Sequence, residues 1–181
     1  MSATAPTDTG KCAYALGEDG LASWDQVHAD AWIGLLETHK RLTRALEAEL
    51  EAEHGLTISA LELLARLAAA ENQSLGLSAL AGLCGLSLSR VSRIMDALEA
   101  RGLVERRPVR GDARAVEGHL TDTGLDLVRR AQASHFAAVQ RRFFEPLSQE
   151  QVSALADIFS RFVPRAEACP AASREDPPAG R

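Results

Sequence analysis

The spacing of apolar residues along the chain predicts a mostly helical protein. In the first and longest pattern, apolar side chains recur near one face from Trp24 to about Glu53, and Gly55 follows as a C-terminal glycine signal. Thr57 and Ser148 precede two later patterns and are predicted N-caps. The other helices are predicted over residues 57–70, 78–84, 87–101, 122–145 and 148–162.

Between Gly102 and Thr121 the pattern changes to a period near two on both sides of Gly111. Alternation of this kind is typical of β-strands with one buried face. The segment therefore predicts two antiparallel strands joined by a loop at about residues 109–114. A short β-hairpin thus follows the fourth predicted helix.

The third and fourth helices are separated only by Cys84, Gly85 and Leu86, which predicts a helix-turn-helix. The first helix of the pair is expected to bury Leu80 and Leu83. The second is expected to bury four apolar residues and to leave its other face free. These four are Val91, Ile94, Met95 and Leu98.

The free face of the fourth helix and the hairpin tip carry the candidate functional residues. Small hydroxyl side chains let a helix enter a DNA groove, and arginine binds guanine or phosphate with two parallel hydrogen bonds. An arginine at a hairpin tip suits a minor groove, with a nearby aspartate to orient it. The candidates are Ser87, Ser89, Arg90, Ser92 and Arg93 on the helix, and Arg110, Asp112 and Arg114 on the hairpin.

Charge distribution supports this assignment. The chain has a net charge of -5, yet residues 87–114 contain seven arginines and only four acidic residues. A basic surface on an acidic protein is expected where one face alone docks on nucleic acid. The competing class is a protein-interaction module whose basic face binds an acidic partner.

Composition narrows the remaining function classes. We find no signal peptide, no transmembrane run, no phosphate-binding loop and no nucleophile motif, so we expect a cytoplasmic protein that is not an enzyme and needs no cofactor. Three dispersed cysteines suggest neither a disulfide framework nor a zinc site. Residues 1–22 are predicted to be a flexible arm, and residues 165–181 a disordered tail.

The segment from "LSALAGLCGLSLSRVSRIMDALEARGLVERR" through the wing "GDAR" to "LTDTG" resembles the MarR family of winged-helix transcription factors. The resemblance implies a mainly α fold with a small β-wing: a winged helix-turn-helix over residues 56–121 and a helical dimerisation region over 23–55 and 122–164. It also implies a homodimer, repression at a palindromic operator in double-stranded DNA, and release by a small phenolic or carboxylate effector. The family often has a second basic residue in the wing, where this chain has Ala113.

Three kinds of signal sensing stay open from the sequence. Trp32, Leu36 and His39 lie on a related face of the first helix and are candidates for binding an aromatic effector, although they also suit simple packing at a dimer junction. Oxidation of Cys12 or Cys84 is a second hypothesis, although Cys84 is expected to be a core residue. A metal site is the third, although its histidines are scattered along the chain.

Overall fold

A computed structural model describes residues 14–109 and 112–163, without the side chains of residues 109 and 112–115. The described part of the chain divides into two compact units, which meet between Ala45 and Leu46. The helices are α1 (Gln26–His54), α2 (Ile58–Ala69), α3 (Leu77–Cys84), α4 (Leu88–Ala100), α5 (Asp122–Val139) and α6 (Gln149–Ser160). The strands are β1 (Tyr14–Leu16), β2 (Ala22–Trp24), β3 (Ser74–Gly76), β4 (Val104–Val109) and β5 (Asp112–Leu120).

Residues 1–13 of the predicted flexible arm lie outside the described residues, but its last part is structured, because β1 and β2 form an antiparallel hairpin. Tyr14 pairs with Trp24, and their rings meet edge to face with centroids 6.2 Å apart. The first helix therefore begins at Gln26 rather than at Trp24. Asp25 accepts a hydrogen bond from the backbone N–H of His28 at 3.0 Å, and this bond lowers the pKa of the Asp25 carboxyl.

The apolar face of α1 is buried only toward its C-terminal end. Leu46 and Leu50 are buried, whereas Val27 and Leu35 are exposed in the single chain. Arg101 donates hydrogen bonds to the carbonyl oxygens of Gly55 and His54, at 2.6 and 3.0 Å. It thereby satisfies carbonyl groups that the end of a helix leaves free.

The core of the second unit confirms the predicted helix-turn-helix. Leu80 from α3 is fully buried, as are Val91 and Met95 from α4, while Ile94 is partly buried. The expectation for Leu83 is wrong, since its side chain is 49% exposed. In a helix of only eight residues, one apolar stripe reaches the core, and Leu83 lies outside it.

The predicted hairpin belongs to a sheet of three antiparallel strands in the order β3-β5-β4. The predicted loop over 109–114 is too long, because Val109 pairs with Asp112. Pro108 lies in β4, an edge strand, where a missing N–H is tolerated. The short strand β3 was not predicted; the Ser74 hydroxyl in it donates to the carbonyl oxygen of Gly118 at 3.3 Å.

The predicted fifth helix is confirmed to Val139 and continues as one π-helical turn from Gln140 to Phe144. The wider turn presents Arg141 and Arg142 to Glu49 of α1. Hydrogen bonding by Arg142 lowers the pKa of the Glu49 carboxyl. These ion pairs attach the end of α5 to the second half of α1.

Helix α6 starts with a complete capping box. The Ser148 hydroxyl accepts from the backbone N–H of Gln151, and the Gln151 side chain accepts from the backbone N–H of Ser148. The predicted cap at Ser148 is thus confirmed. None of the α6 residues is buried. None of the helices in residues 14–109 and 112–163 is long and apolar enough to span a membrane.

We expect the protein to lose stability as the pH falls through about 6.5. Burial lowers the pKa of His135, whose Nδ1 atom is buried and has no hydrogen-bond partner among the described residues. The unfolded chain binds a proton at this imidazole near pH 6.5, while the folded chain does so only at lower pH. Acidification therefore favours unfolding. Urea unfolding between about pH 5 and 8 measures the slope.

The matching variant for this pH dependence is His135→Leu, which removes the titrating group and keeps an apolar side chain in place. Its free energy of unfolding should depend less on pH than that of the wild type over the same range. Equal slopes for the two proteins would show that His135 does not contribute.

Candidate nucleic-acid interface

Helix α4 presents most of the predicted contact residues at its N-terminal end. Ser87 is the N-cap, and its hydroxyl accepts from the backbone N–H of Arg90 at 3.3 Å. Ser87, Ser89, Arg90 and Arg93 are exposed, while Ser92 is only partly so. The buried stripe of Val91, Met95 and Leu98 fixes which face points outward.

The serines on this face already make contacts inside the protein. The Ser87 and Ser89 hydroxyls lie 3.2 Å apart, within hydrogen-bond distance. Ser92 accepts two hydrogen bonds from Arg106, at its carbonyl oxygen (2.8 Å) and its hydroxyl (3.3 Å). Ser92 therefore has a structural contact that the sequence did not suggest.

The two arginines of α4 differ in whether they have a hydrogen-bond partner among the described residues. Arg90 donates to the Ser59 hydroxyl of α2 at 3.2 Å. Arg93 is exposed and has no hydrogen-bond or ion-pair partner among the described side chains. Its five N–H donors are therefore available to an external acceptor.

Arg106 is the site residue that sequence reasoning missed. It lies on β4, and its guanidinium contacts Asp96 and, at 3.8 Å, Glu99, both on α4. Its backbone N–H also donates to Glu99 at 2.9 Å. The Arg106 side chain is 24% exposed, so it fixes the hairpin against α4 rather than facing solvent. The signal for this contact was the pair of acidic residues, Asp96 and Glu99, three positions apart on α4.

The wing is the hairpin of β4 and β5, and the structure describes its strands but not its tip. Asp112 and Arg114 lie at the start of β5, next to the tip. Their side chains and all of Arg110 lie outside the described part of the structure. Arg107, on the same hairpin, pairs with Glu105 at 2.8 Å and is about half exposed.

A cavity of about 540 Å³ opens beside helix α4. It lies between the end of α1, the start of α2 and one side of α4. Three arginines line it, together with Glu51 and apolar groups: Arg90, Arg93 and Arg101. Such a lining favours an anionic group.

The candidate effector residues are exposed in the single chain. Trp32 is 54% exposed and Leu36 47%, and His39 is exposed as well. None of the three lines the cavity beside α4. All three lie within the first compact unit.

The groups considered for redox or metal sensing are not assembled into such sites in the described residues. Cys84 is partly buried against the core, and this burial raises the pKa of its thiol, which disfavours the reactive thiolate. Cys12 lies outside the described residues. Between residues 14 and 163, apart from the undescribed tip, no three His, Cys, Asp or Glu side chains could hold one metal ion.

Comparison with known proteins supports the winged-helix fold and finds similarity to one family. Residues 54–115 match a model of the MarR family. Among solved structures, AbsC, a MarR family transcriptional regulator from Streptomyces coelicolor, is 29% identical, with a TM-score of 0.70; the match covers 77% of this chain and 93% of AbsC. No curated protein matches the sequence significantly.

Two further similar structures contain bound partners. Sco3205 from Streptomyces coelicolor, a MarR family regulator in complex with DNA, is 28% identical, with a TM-score of 0.70 over 77% of this chain and 88% of that one. CouR from Rhodococcus jostii RHA1, bound to p-coumaroyl-CoA, is 26% identical, with a TM-score of 0.62 over 77% and 96%. The chain thus shares the winged-helix fold of these MarR-family transcriptional regulators, and its residues 54–115 match the model of that family.

Proposed function

We propose that this protein is a MarR-family regulator, a homodimeric repressor that binds a palindromic operator through α4 and the wing and is released by a small-molecule effector. One observation carries the DNA-contacting part: Arg93 is exposed on the outward face of α4 without a partner among the described side chains. Ser87, Ser89 and Arg90 would flank it in the major groove.

The wing would add contacts in the neighbouring minor groove. Arg110 and Arg114 would bind there or to its phosphates, and Asp112 would orient Arg114. The Arg106 contacts with α4 support this arrangement, because they hold β4 against the helix that carries Arg93. The helix and the wing would then dock as one rigid surface.

Exposed apolar surface supports a homodimer. The single chain leaves large apolar side chains exposed on α1 and around α6, and such surface is typical of an interface. A helix of 12 residues without any buried side chain is also marginal alone, so α6 needs a partner. We assign residues 23–55 and 122–164 to the dimerisation region. The exposed residues include Val27, Trp32, Ile33, Leu35, Leu36, Ile158, Phe159, Phe162 and Val163.

The effector would be a small phenolic or carboxylate compound. Trp32, Leu36 and His39 would bind its aromatic part once a second subunit covers them, since all three are exposed in the single chain. The cavity beside α4 is a second candidate site, favoured by its three arginines. A carboxylate there would compete directly with DNA for Arg93.

The test is fluorescence anisotropy of the full chain with the DNA upstream of its own gene. We expect tight binding that resists competitor DNA and weakens roughly a thousandfold or more between about 50 and 200 mM salt, because arginine–phosphate contacts release counterions. Sedimentation should give a dimer. Phenolic carboxylates should release the DNA.

Two results would contradict the proposal in different ways. In the first, the protein binds its upstream DNA no better than random DNA, and selection from randomised duplexes returns no motif. Binding of an acidic protein partner would then explain the basic face better than binding of DNA. An effector that relieves repression in cells but leaves DNA affinity unchanged would contradict only one part of the proposal, the release of DNA by a ligand.

A further inference from the structure

An apolar side chain occupies the first turn of α4, where the helix is most exposed. Leu88 is the first residue of the helix, directly after the Ser87 cap, and is 51% exposed. Leu86, two residues earlier, packs against the core, whereas Leu88 is absent from the core cluster. Leu88 is therefore not part of the described core.

The polar groups around Leu88 are largely engaged within the protein. The Ser87 hydroxyl caps the helix and lies 3.2 Å from that of Ser89. Arg90 contacts Ser59, and Ser92 contacts Arg106. The leading end of the helix therefore offers the leucine methyl groups to an external contact, beside its exposed polar side chains.

The N-terminal residues of a recognition helix are the ones that contact base edges. In the major groove, the apolar group on those edges is the 5-methyl of thymine. Contact between this methyl and leucine removes apolar surface of both from water, whereas a cytosine in its place offers only a polar amino group. An exposed leucine at this position is therefore matched to one base.

We propose that Leu88 is a specificity-determining residue that selects a thymine in each half-site by contacting its 5-methyl group. This inference rests on the proposed DNA-binding function and extends it to one residue and one chemical group of the DNA. It assigns base selection at that position to an apolar contact rather than to the serine hydroxyls on either side.

The test removes the methyl group alone. A duplex obtained by selection from a randomised pool is remade with deoxyuridine replacing one thymine at a time, and binding to the full-length wild type is measured by anisotropy. At one thymine of each half-site, the loss of the methyl should weaken binding roughly three- to tenfold. The other thymines should show little change.

Variants of Leu88 then assign the effect to this side chain. Leu88→Ala should bind the thymine and uracil duplexes equally, at the level of wild type on uracil, while Leu88→Met should keep the discrimination. Leu83→Ala is the matched control, because Leu83 is also a half-exposed leucine but lies on α3, which crosses the DNA backbone in this motif. It should discriminate like the wild type.

The possible outcomes distinguish a failure of the Leu88 assignment from a failure of the proposed DNA-binding function. Sequence-specific binding that no uracil substitution weakens would overturn the assignment of Leu88 and leave the regulator intact. Discrimination that persists in Leu88→Ala would do the same. If selection returns no preferred sequence, the proposed function fails, and the role of Leu88 with it. Equal melting temperatures for all variants exclude unfolding as the cause.

Discussion

Replacing Gly124 with alanine is expected to cost about 3 kcal/mol of unfolding free energy and to lower the melting temperature by roughly 6–12 °C. A Cβ at this position would collide with the carbonyl oxygen of Leu103 and lie 3.0 Å from its carbonyl carbon and 2.8 Å from the Leu120 side chain. The first two are backbone atoms, which no rotamer change can move. Thermal and urea unfolding measure the loss.

The hydrogen bonds of the neighbouring threonine show why this approach is so close. The Thr121 hydroxyl accepts from the backbone N–H of Gly124 at 3.0 Å and lies within donating distance of the carbonyl oxygens of Gly102 and Leu103. The Thr121 backbone N–H also donates to Leu103. The start of α5 is thereby held against the start of β4, and a methyl group would push the two apart.

Gly82→Ala is the matched control for this prediction. Gly82 also lies in a helix, but a Cβ there would meet nothing within 4 Å. Alanine should therefore stabilise the protein by about 0.5–1 kcal/mol through its better helix propensity. An unchanged or raised melting temperature for Gly124→Ala would mean that the contact between α5 and Leu103 is looser than described.

The parts of the fold that were predictable are those set by local periodicity and capping. The buried stripe of α4, the helix-turn-helix and the cap at Ser148 all follow from residues within a few positions of one another. The motif "LTDTG" was recognisable by resemblance. Its physical reason, the backbone of Leu103 against Gly124, depends on a contact between segments about 20 residues apart.

The features that were missed depend on short or distant pairings. Strand β3 is three residues long, too short for any alternation to be visible, and exists because it pairs with β5. The β1–β2 hairpin is equally short. Leu83 was expected in the core because its spacing from Leu80 fits a helix, but the spacing alone does not reveal the width of the buried stripe.

The candidate interface could likewise be predicted only in part. An arginine-rich face on α4 could be predicted, because the buried stripe determines which side chains point outward. The division of roles within that face could not. Ser92 is engaged by Arg106 only because the register of β4 brings this arginine opposite Asp96 and Glu99.

Arg93→Ala is expected to weaken specific DNA binding strongly without changing stability. Its side chain makes no hydrogen bond or ion pair with the described residues, so its removal leaves the fold unaffected. A lost arginine contact is worth about 1–3 kcal/mol at each half-site, which amounts to roughly thirtyfold or more for a dimer on two half-sites. Anisotropy measures the affinity, and urea unfolding the stability.

Arg106→Ala provides the contrasting variant, because Arg106 would act on DNA only through the position of the wing. Its removal leaves Asp96 and Glu99 without their partner and should lower the unfolding free energy by about 1.5–3 kcal/mol, together with DNA affinity. The two variants therefore differ in stability rather than in DNA binding. If Arg93→Ala also lost stability, its effect on affinity would be structural, and a direct contact would be contradicted.

The salt dependence of Arg93→Ala then identifies what the side chain contacts. If Arg93 binds phosphate, affinity should fall uniformly across sequences, and the slope against log salt should become shallower by about one for each half-site. If it binds a guanine edge, the slope should stay nearly constant while discrimination at one base position relaxes. We expect the second result, since Arg93 lies one helical turn after the first turn of α4, on the same outward face as Ser89 and Arg90.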